Sequence, residues 1–562
     1  MKSYIYLILV CFLIIATSCT KMESLKEKSA KDFVSEVQIK LAKAYNATTL
    51  AYYNASISGK DADWKTYQTL DMAMNEILSN KAFFEKIKNF NGDSEIQNDT
   101  LKRTILVLYN QFMSKQVDTT LLGEISAKSA EIEKKFSTFR ADLGDGKKIS
   151  DNQIEDILKK ETNSEKLKAA WLAHKEIGNV VVKDVIAIVK LRNESAKKLG
   201  FKNFHEMSIK LSEQDPEELL KFFDELDKLT RQSYIEVKNE IDDSLAAKCK
   251  IAKADLMPWH YQNRYFQEAP KINSFDLDSF FKNANIEALT KEFYSSIGHP
   301  IDEMIAKSDL YEKPGKMQHA YCTDIDRNKN DIRVVCNITP SHKWMETMLH
   351  EYGHAVYQKY VGAKLPWVLK QPAHTFATEG IAMLFGRLAT SPAWLKENLK
   401  LDDATASSIA ANCKKSMRMQ QLVFSRWVQV VYRFEKEMYA NPDQDLNKLW
   451  WDLVEKYQMM KRPEGRNSPD WATKIHIATY PCYYHSYLLG EVFASQLYCT
   501  INEKVLNANP VGDYGWTGKK EVAKYLEEKV YAPALLYYWD DMVLKATGEK
   551  LTPKYFAKQF VN

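Results

Sequence analysis

Glycine and proline are scarce, 19 and 16 residues in a chain of 562. Punctuation this thin argues against a fold of many short strands and tight turns, and favours long helices. No Cys-x-x-Cys pair occurs, which argues against a cysteine zinc site. No basic block occurs either: 78 Lys and Arg are well mixed with 74 Asp and Glu, for a net charge of +4. Nucleic acid is therefore not an expected partner, because its binders carry a clustered basic surface. There is no long linker, no low-complexity segment and no repeat at solenoid periods. The length admits three or four small domains or one large two-lobed enzyme. The missing linker favours one large domain folded around a cleft. What is present is ordinary globular material, 45% hydrophobic, 27% charged and 12% aromatic.

The N-terminus reads as a targeting signal. Met1-Lys2 is a short basic start, Tyr4 to Ile15 an apolar run, and Ala16-Thr17-Ser18 leads into Cys19. This arrangement resembles a bacterial lipoprotein signal. The resemblance implies removal of residues 1–18, lipidation of Cys19, and an exported protein anchored in the cell envelope, facing the periplasm or the cell exterior. Residues 19–31 read as a polar tether, and 32–562 as a single domain. Six cysteines remain in the mature chain, Cys249, Cys322, Cys336, Cys413, Cys482 and Cys499. Disulfides are allowed outside the cytoplasm. Spacing does not fix their connectivity, although Cys322 and Cys336 are near enough in sequence to pair.

Helical spacing dominates the rest. Leu167, Ala170, Trp171, Ala173 and His174 recur at i, i+3, i+4, and Val182, Val185, Ile188, Val189 and Leu191 continue the pattern. Asp215-Pro216-Glu217-Glu218 is a capped helix start with proline in the first turn. The best strand lies in 328–337, a polar turn and then Ile332 to Cys336. The expected fold is mostly α, two helical lobes around a central cleft, with at most a small sheet beside the active site.

The chemistry centres on Leu349-His350-Glu351-Tyr352-Gly353-His354, which contains His-Glu-x-x-His. On a helix, residues four apart share a face, so both imidazoles reach one ion. Two neutral imidazole nitrogens suit Zn²⁺. Glu351, beside the first ligand, is placed instead to take a proton from a water on that ion. Ser341 after Pro340 is the expected cap. Trp344, Met345, Met348, Leu349, Tyr352 and Val356 form the apolar stripe, and Gly362 is the expected stop. A catalytic zinc site needs a third protein ligand and an open position. Gln371-Pro372-Ala373-His374 interrupts the chain before a helix from Thr375, on which Glu379 sits among apolar and small neighbours. A buried lone carboxylate is costly unless paired or bound to metal, so Glu379 is the expected third ligand. His374, in the loop, ranks below it.

The spacing of His350, His354 and Glu379 is similar to that of the gluzincins, and within them the chain resembles the angiotensin-converting-enzyme family of dipeptidyl carboxypeptidases. Thimet-type oligopeptidases are the neighbouring family. Three segments carry the resemblance, over about residues 165–500. They are Trp171 with Leu191 to Phe201, then Glu312 to Ala320 with Asp331 to Cys336, and Lys474-Ile475-His476 with Tyr484-His485-Ser486-Tyr487.

The resemblance implies one Zn²⁺, oligopeptide substrates, and roles for further residues. His476 and Tyr487 would donate to the oxyanion, Lys474 and Tyr484 would hold a peptide's C-terminal carboxylate, and His319 would bond the substrate backbone. Some positions depart from the family. The stretch between His476 and Tyr484 is one residue longer, which makes Tyr483 a rival for Tyr484. Ser486 stands where a chloride-binding arginine is common, Thr378 where a histidine often precedes the zinc glutamate, and Cys322 follows His319 instead of preceding it. Gln262 is the candidate for the family's carboxylate-binding glutamine. The implied activity is release of C-terminal dipeptides by a zinc-bound water that Glu351 activates. The alternatives are an endo-acting oligopeptidase of the thimet type and a non-catalytic peptide-binding lipoprotein.

Overall fold

The structure, a computed structural model, describes residues 24–144, 146–272 and 275–561. The leader and Cys19 lie outside the described residues. The chain is 69% helical with two small antiparallel sheets. Helices that bear on the site are numbered here in chain order: α1 (Leu25–Ser58), α2 (Asp61–Leu78), α3 (Asp99–Met113), α4 (Thr119–Thr138), α5 (Ser164–Lys198), α6 (His342–Lys359), α7 (Thr375–Gly386), α8 (Asp403–Ala440), α9 (Ile475–Thr479) and α10 (His485–Thr500).

The segment read as a tether is helical from Leu25. Ser24 caps α1 by accepting from the Glu27 N–H at 2.9 Å, and Ala30, Phe33 and Val34 are already buried. Polar composition hid a helix whose first turn is not buried and whose burial begins at Ala30. α1 ends at Gly59, in the left-handed region at φ +65°. A side chain there would meet Gly315 O at 2.0 Å, so the close approach of two backbones demands glycine.

Apolar residues gather mainly in two cores. The smaller joins α1 and α3 through Phe33, Val37, Leu41, Ile105, Leu108 and Phe112, and closes on Val368 and Leu369. The larger holds α5 to α8 and α10. The two apolar runs on residues 167–191 are one helix, α5, capped by Asn163 accepting from the Lys166 N–H at 3.1 Å. Asp215 caps the helix that starts at Pro216, accepting from Glu217 and Glu218 at 2.9 Å. Among the described residues, no helix is long and apolar enough to cross a membrane.

Strands β1 (Ala141–Asp142) and β2 (Lys148–Ile149) form a minimal pair. The hairpin beside the site is β3 (Tyr321–Asp326) with β4 (Asp331–Val335), in register Tyr321↔Val335 and Thr323↔Arg333. Its outer neighbour is Asp309, bridged in parallel to Val335. Cys322 pairs opposite Val334, two residues before Cys336, and both thiols are free, as are the other four mature cysteines. The pair considered from sequence is therefore not formed.

Five histidines away from the metal motif are buried, His174, His205, His260, His299 and His485. Burial disfavours their charged form and holds their pKa down, to about 3 for His174, His299 and His485 and about 4 for His205, against 6.5 in solution. Between those limits the unfolded chain binds protons that the folded chain refuses, so stability falls as pH drops. The urea midpoint is expected to decline steadily from about pH 6.5 to pH 4. A midpoint constant over that range contradicts the assignment.

Candidate metal centre

α6 is fixed by burial. Met345, Met348, Leu349, Tyr352 and Val356 are fully enclosed, each contributing about 1.5–3 kcal/mol by leaving water. The exposed Lys343–Glu346 pair at 3.5 Å adds only about 0.2–0.5 kcal/mol, so the apolar stripe decides the helix. Ser341 caps it, accepting from the Trp344 N–H at 3.3 Å. The helix stops at Lys359, short of the expected Gly362. Gly362 serves a different need: a side chain there would lie 2.7 Å from Ala532 O, the atom its own N–H bonds at 3.2 Å.

One turn apart on α6, the rings of His350 and His354 stand 4.9 Å apart at 86°. Glu379 comes from α7, which packs directly on α6. A side chain at Gly353 would come within 2.8 Å of Ala382 Cα, so the motif's glycine lets the two backbones meet. On the other side of α7, a side chain at Gly490 of α10 would sit 3.0 Å from Glu379 Cβ. Glu379 is thus clamped between two helices, with its Oε2 3.7 Å from His350 Nε2 and 3.8 Å from His354 Nε2.

These three side chains are a candidate metal set, with ligand atoms within 4.8 Å of one another. Tetrahedral donors at about 2.1 Å from zinc stand about 3.4 Å apart, close to the distances found. The supporting contacts fit as well. Glu379 Oε2 is buried with no hydrogen-bond partner, while Oε1 accepts from Tyr483 OH at 3.0 Å. His354 Nδ1 lies 2.7 Å from Thr378 Oγ1, the kind of outer contact that fixes ring orientation and tautomer. Burial holds both imidazoles in the neutral form that ligates, His354 at about 4 and His350 well below its ordinary value. Burial also raises Glu379 to about 7. The donor set and the orphaned oxygen therefore fit one divalent zinc-like cation. His374 is not part of it: its Nδ1 caps α7, accepting from the Phe376 N–H at 3.1 Å.

Glu351 is 7% exposed. Burial, and then the Glu379 carboxylate, push its pKa up to about 8, against a backbone hydrogen bond from Cys322 on β3. A cation between the two carboxylates favours their ionised forms.

The third segment of the resemblance runs from Lys474 through α9 to the start of α10. Lys474 Nζ is buried and bonds Gln267 Oε1 at 2.7 Å. It lies 5.4 Å from the centre of the Tyr484 ring, and Tyr484 OH reaches the same Gln267 oxygen at 3.4 Å. Burial and the Arg264 charge lower Lys474 to about 7. The glutamine that meets Lys474 is Gln267, not Gln262. Gln262 is tied to Lys271, accepting from its N–H at 3.1 Å. The loop between is irregular, with positive φ at Gln262 and Phe266, so no periodicity could set the register.

The rival tyrosines divide the work. Tyr484 joins Lys474, and Tyr483 bonds Glu379. Tyr487 packs against both, 5.2 and 5.3 Å between ring centres. Its phenol is raised by burial first and then by the Glu379 and Glu351 carboxylates. His476 is neutral, held to about 3 by burial and by repulsion from Lys474 and His319. Its Nδ1 is buried without a partner. His319 is exposed in the loop before β3.

Two imidazoles and a carboxylate on adjoining helices, with a second carboxylate beside them, define a zinc metallopeptidase, a hydrolase of peptides. The model of Peptidase family M3 matches residues 157–528, more than half of the chain, and the chain belongs to that family. It is the thimet-type oligopeptidase family, the neighbour of the one the motifs resemble. Its members are zinc-dependent. No curated protein matches the chain significantly.

Proposed function

We propose that the chain removes C-terminal dipeptides from short peptides, with His350, His354 and Glu379 holding one zinc ion. The observation that carries the dipeptide-releasing reading is Lys474. It is a buried amine that donates not to a carboxylate but to the amide oxygen of Gln267, with Tyr484 OH beside it. A buried lysine is costly without a counter-charge, and a substrate carboxylate supplies one through a charge-assisted hydrogen bond.

Zinc in this site supplies Lewis-acid polarisation of the scissile carbonyl and acidifies water. Glu351 accepts the proton of the attacking water and passes it to the leaving amine. Tyr487 and His476 donate to the oxygen that gains charge. Lys474, Tyr484 and Gln267 hold the terminal carboxylate and so set the distance from chain end to cleaved bond. His319 bonds the substrate backbone. The exported, lipid-anchored location remains part of this reading and rests on the Tyr4 to Ile15 run and Cys19. The family match favours one second reading, an endo-acting oligopeptidase indifferent to the chain end.

Paired peptides with free and amidated C-termini separate the two. The free acids are expected to be cleaved with kcat/KM about 10- to 100-fold higher, the worth of hydrogen bonds to a charged group, and to yield dipeptides by mass spectrometry. Equal rates for both forms would establish the endo-acting reading.

A further inference from the structure

A cavity of about 630 Å³ lies between the two apolar cores. Val107 of α3 and Leu535 bring the smaller core to its wall, and Ile125 of α4 and Phe204 bring the larger. His350, His354, Glu379, Lys474 and Tyr484 do not line it. Its volume suits a small organic molecule. Arg192 and Ser195, one turn apart on α5, both line it and are 5% and 4% exposed. Arg192 Nη1 donates to Ala478 O at 2.7 Å and to Tyr439 OH at 3.3 Å, and the guanidinium lies 5.7 Å from the centre of the Phe204 ring. Its Nε and Nη2 have no hydrogen bond, and the residue has no ion pair, among the described residues. Glu435, one turn before Tyr439 on α8, instead accepts from the Cys482 N–H at 2.8 Å. Ser195 Oγ also has no partner among the described residues. Half-buried Lys115, just past α3, adds an amine with no hydrogen bond or ion pair among them. Glu213 is the one carboxylate of the wall, and both its oxygens accept from Arg103.

We infer that this cavity is a second ligand site, for a small carboxylate with an apolar body, held by the Nε–Nη2 edge of Arg192 together with Ser195 and Lys115. That edge is the fork of a guanidinium that fits a carboxylate with two parallel hydrogen bonds. Elsewhere in this chain it does so. Arg333 takes Asp331 through Nε and Nη2 at 3.0 and 2.9 Å, and Arg466 takes Asp470 through both at 2.6 Å. A buried guanidinium without a counter-charge is costly, and the wall holds no free acid to supply one. The ligand's body meets Val107, Leu122, Ile125, Phe204 and Met207. The same wall reaches the supports of the metal set. His374 and Thr375 open α7, which carries Glu379, and Pro481 stands two residues before Tyr483, the donor to Glu379 Oε1.

The test is calorimetry on Lys474→Gln protein, in which the carboxylate pocket beside the metal set is disabled. The probes are N-acetylphenylalanine, its neutral amide and inorganic phosphate. The acid is expected to bind one site per chain about tenfold or more tighter than the amide, the worth of hydrogen bonds to a charged group. It should also bind tighter than phosphate, which lacks the apolar body. Adding Lys115→Glu, which sets a like charge in the site, should weaken the acid by about tenfold. Adding Ser195→Leu, which fills the cavity, should abolish binding; if that variant does not fold, Lys115→Glu decides. Equal affinity for acid and amide, phosphate bound as tightly as the acid, or an affinity unmoved by Lys115→Glu overturns the inference. Absence of binding to Lys474→Gln protein overturns it too, and binding seen in wild type alone would place the carboxylate at Lys474. The readout is affinity, so the result stands whether or not the chain hydrolyses peptides.

Discussion

Glu351→Gln is expected to keep its zinc and its fold and to lose about 10²–10⁴-fold in kcat, the usual worth of a positioned general base. The substitution is close to isosteric. Its amide oxygen keeps an acceptor toward the Cys322 backbone. What disappears is the ability to take a proton from water. Because Glu351 does not belong to the candidate ligand set of His350, His354 and Glu379, metal content should stay at one ion per chain. Metal analysis beside steady-state kinetics checks both halves. A mutant that hydrolyses peptides at the wild-type rate would show that another group activates the water, and one that loses zinc would show that Glu351 is itself a ligand.

Glu379→Ala is expected to remove the metal. Structural zinc sites bind with about 10–16 kcal/mol over four ligands, about 3 kcal/mol for each, so losing one weakens affinity by about 10²-fold or more. The change also strands Tyr483 OH, which donates to Glu379 Oε1 at 3.0 Å. Hydrolysis should fall to background at trace zinc and recover only in part with excess metal, because the two histidines of α6 remain. A competition titration against a zinc-binding dye measures the affinity. Unchanged affinity in Glu379→Ala would mean that the carboxylate does not reach the ion.

The parts legible in the sequence were those written in local periodicity. The i, i+4 histidines, the Ser341 cap and the apolar stripe of α6 share one turn-by-turn rhythm. β4 was legible because a polar turn precedes a β-branched run. Glu379 was legible because an acid among apolar neighbours asks for a partner. Features set by packing between distant segments were not. Gln267 meets Lys474 across 207 residues, through a loop without periodic signal. The division of Tyr483 from Tyr484 falls in an irregular stretch that follows left-handed backbone at Cys482, φ +57°, where a non-glycine residue is uncommon. Gly362 looked like a helix stop because glycine commonly is one. Its contact with Ala532 lies 170 residues away, where no local pattern could reveal it.

The most direct test is diffraction from crystals of the protein as purified, with data on both sides of the zinc absorption edge. The account predicts one anomalous peak between α6 and α7, about 2.0–2.2 Å from His350 Nε2, His354 Nε2 and Glu379 Oε2. Zinc bound elsewhere, or zinc on the two histidines with the Glu379 carboxylate turned away, would contradict it.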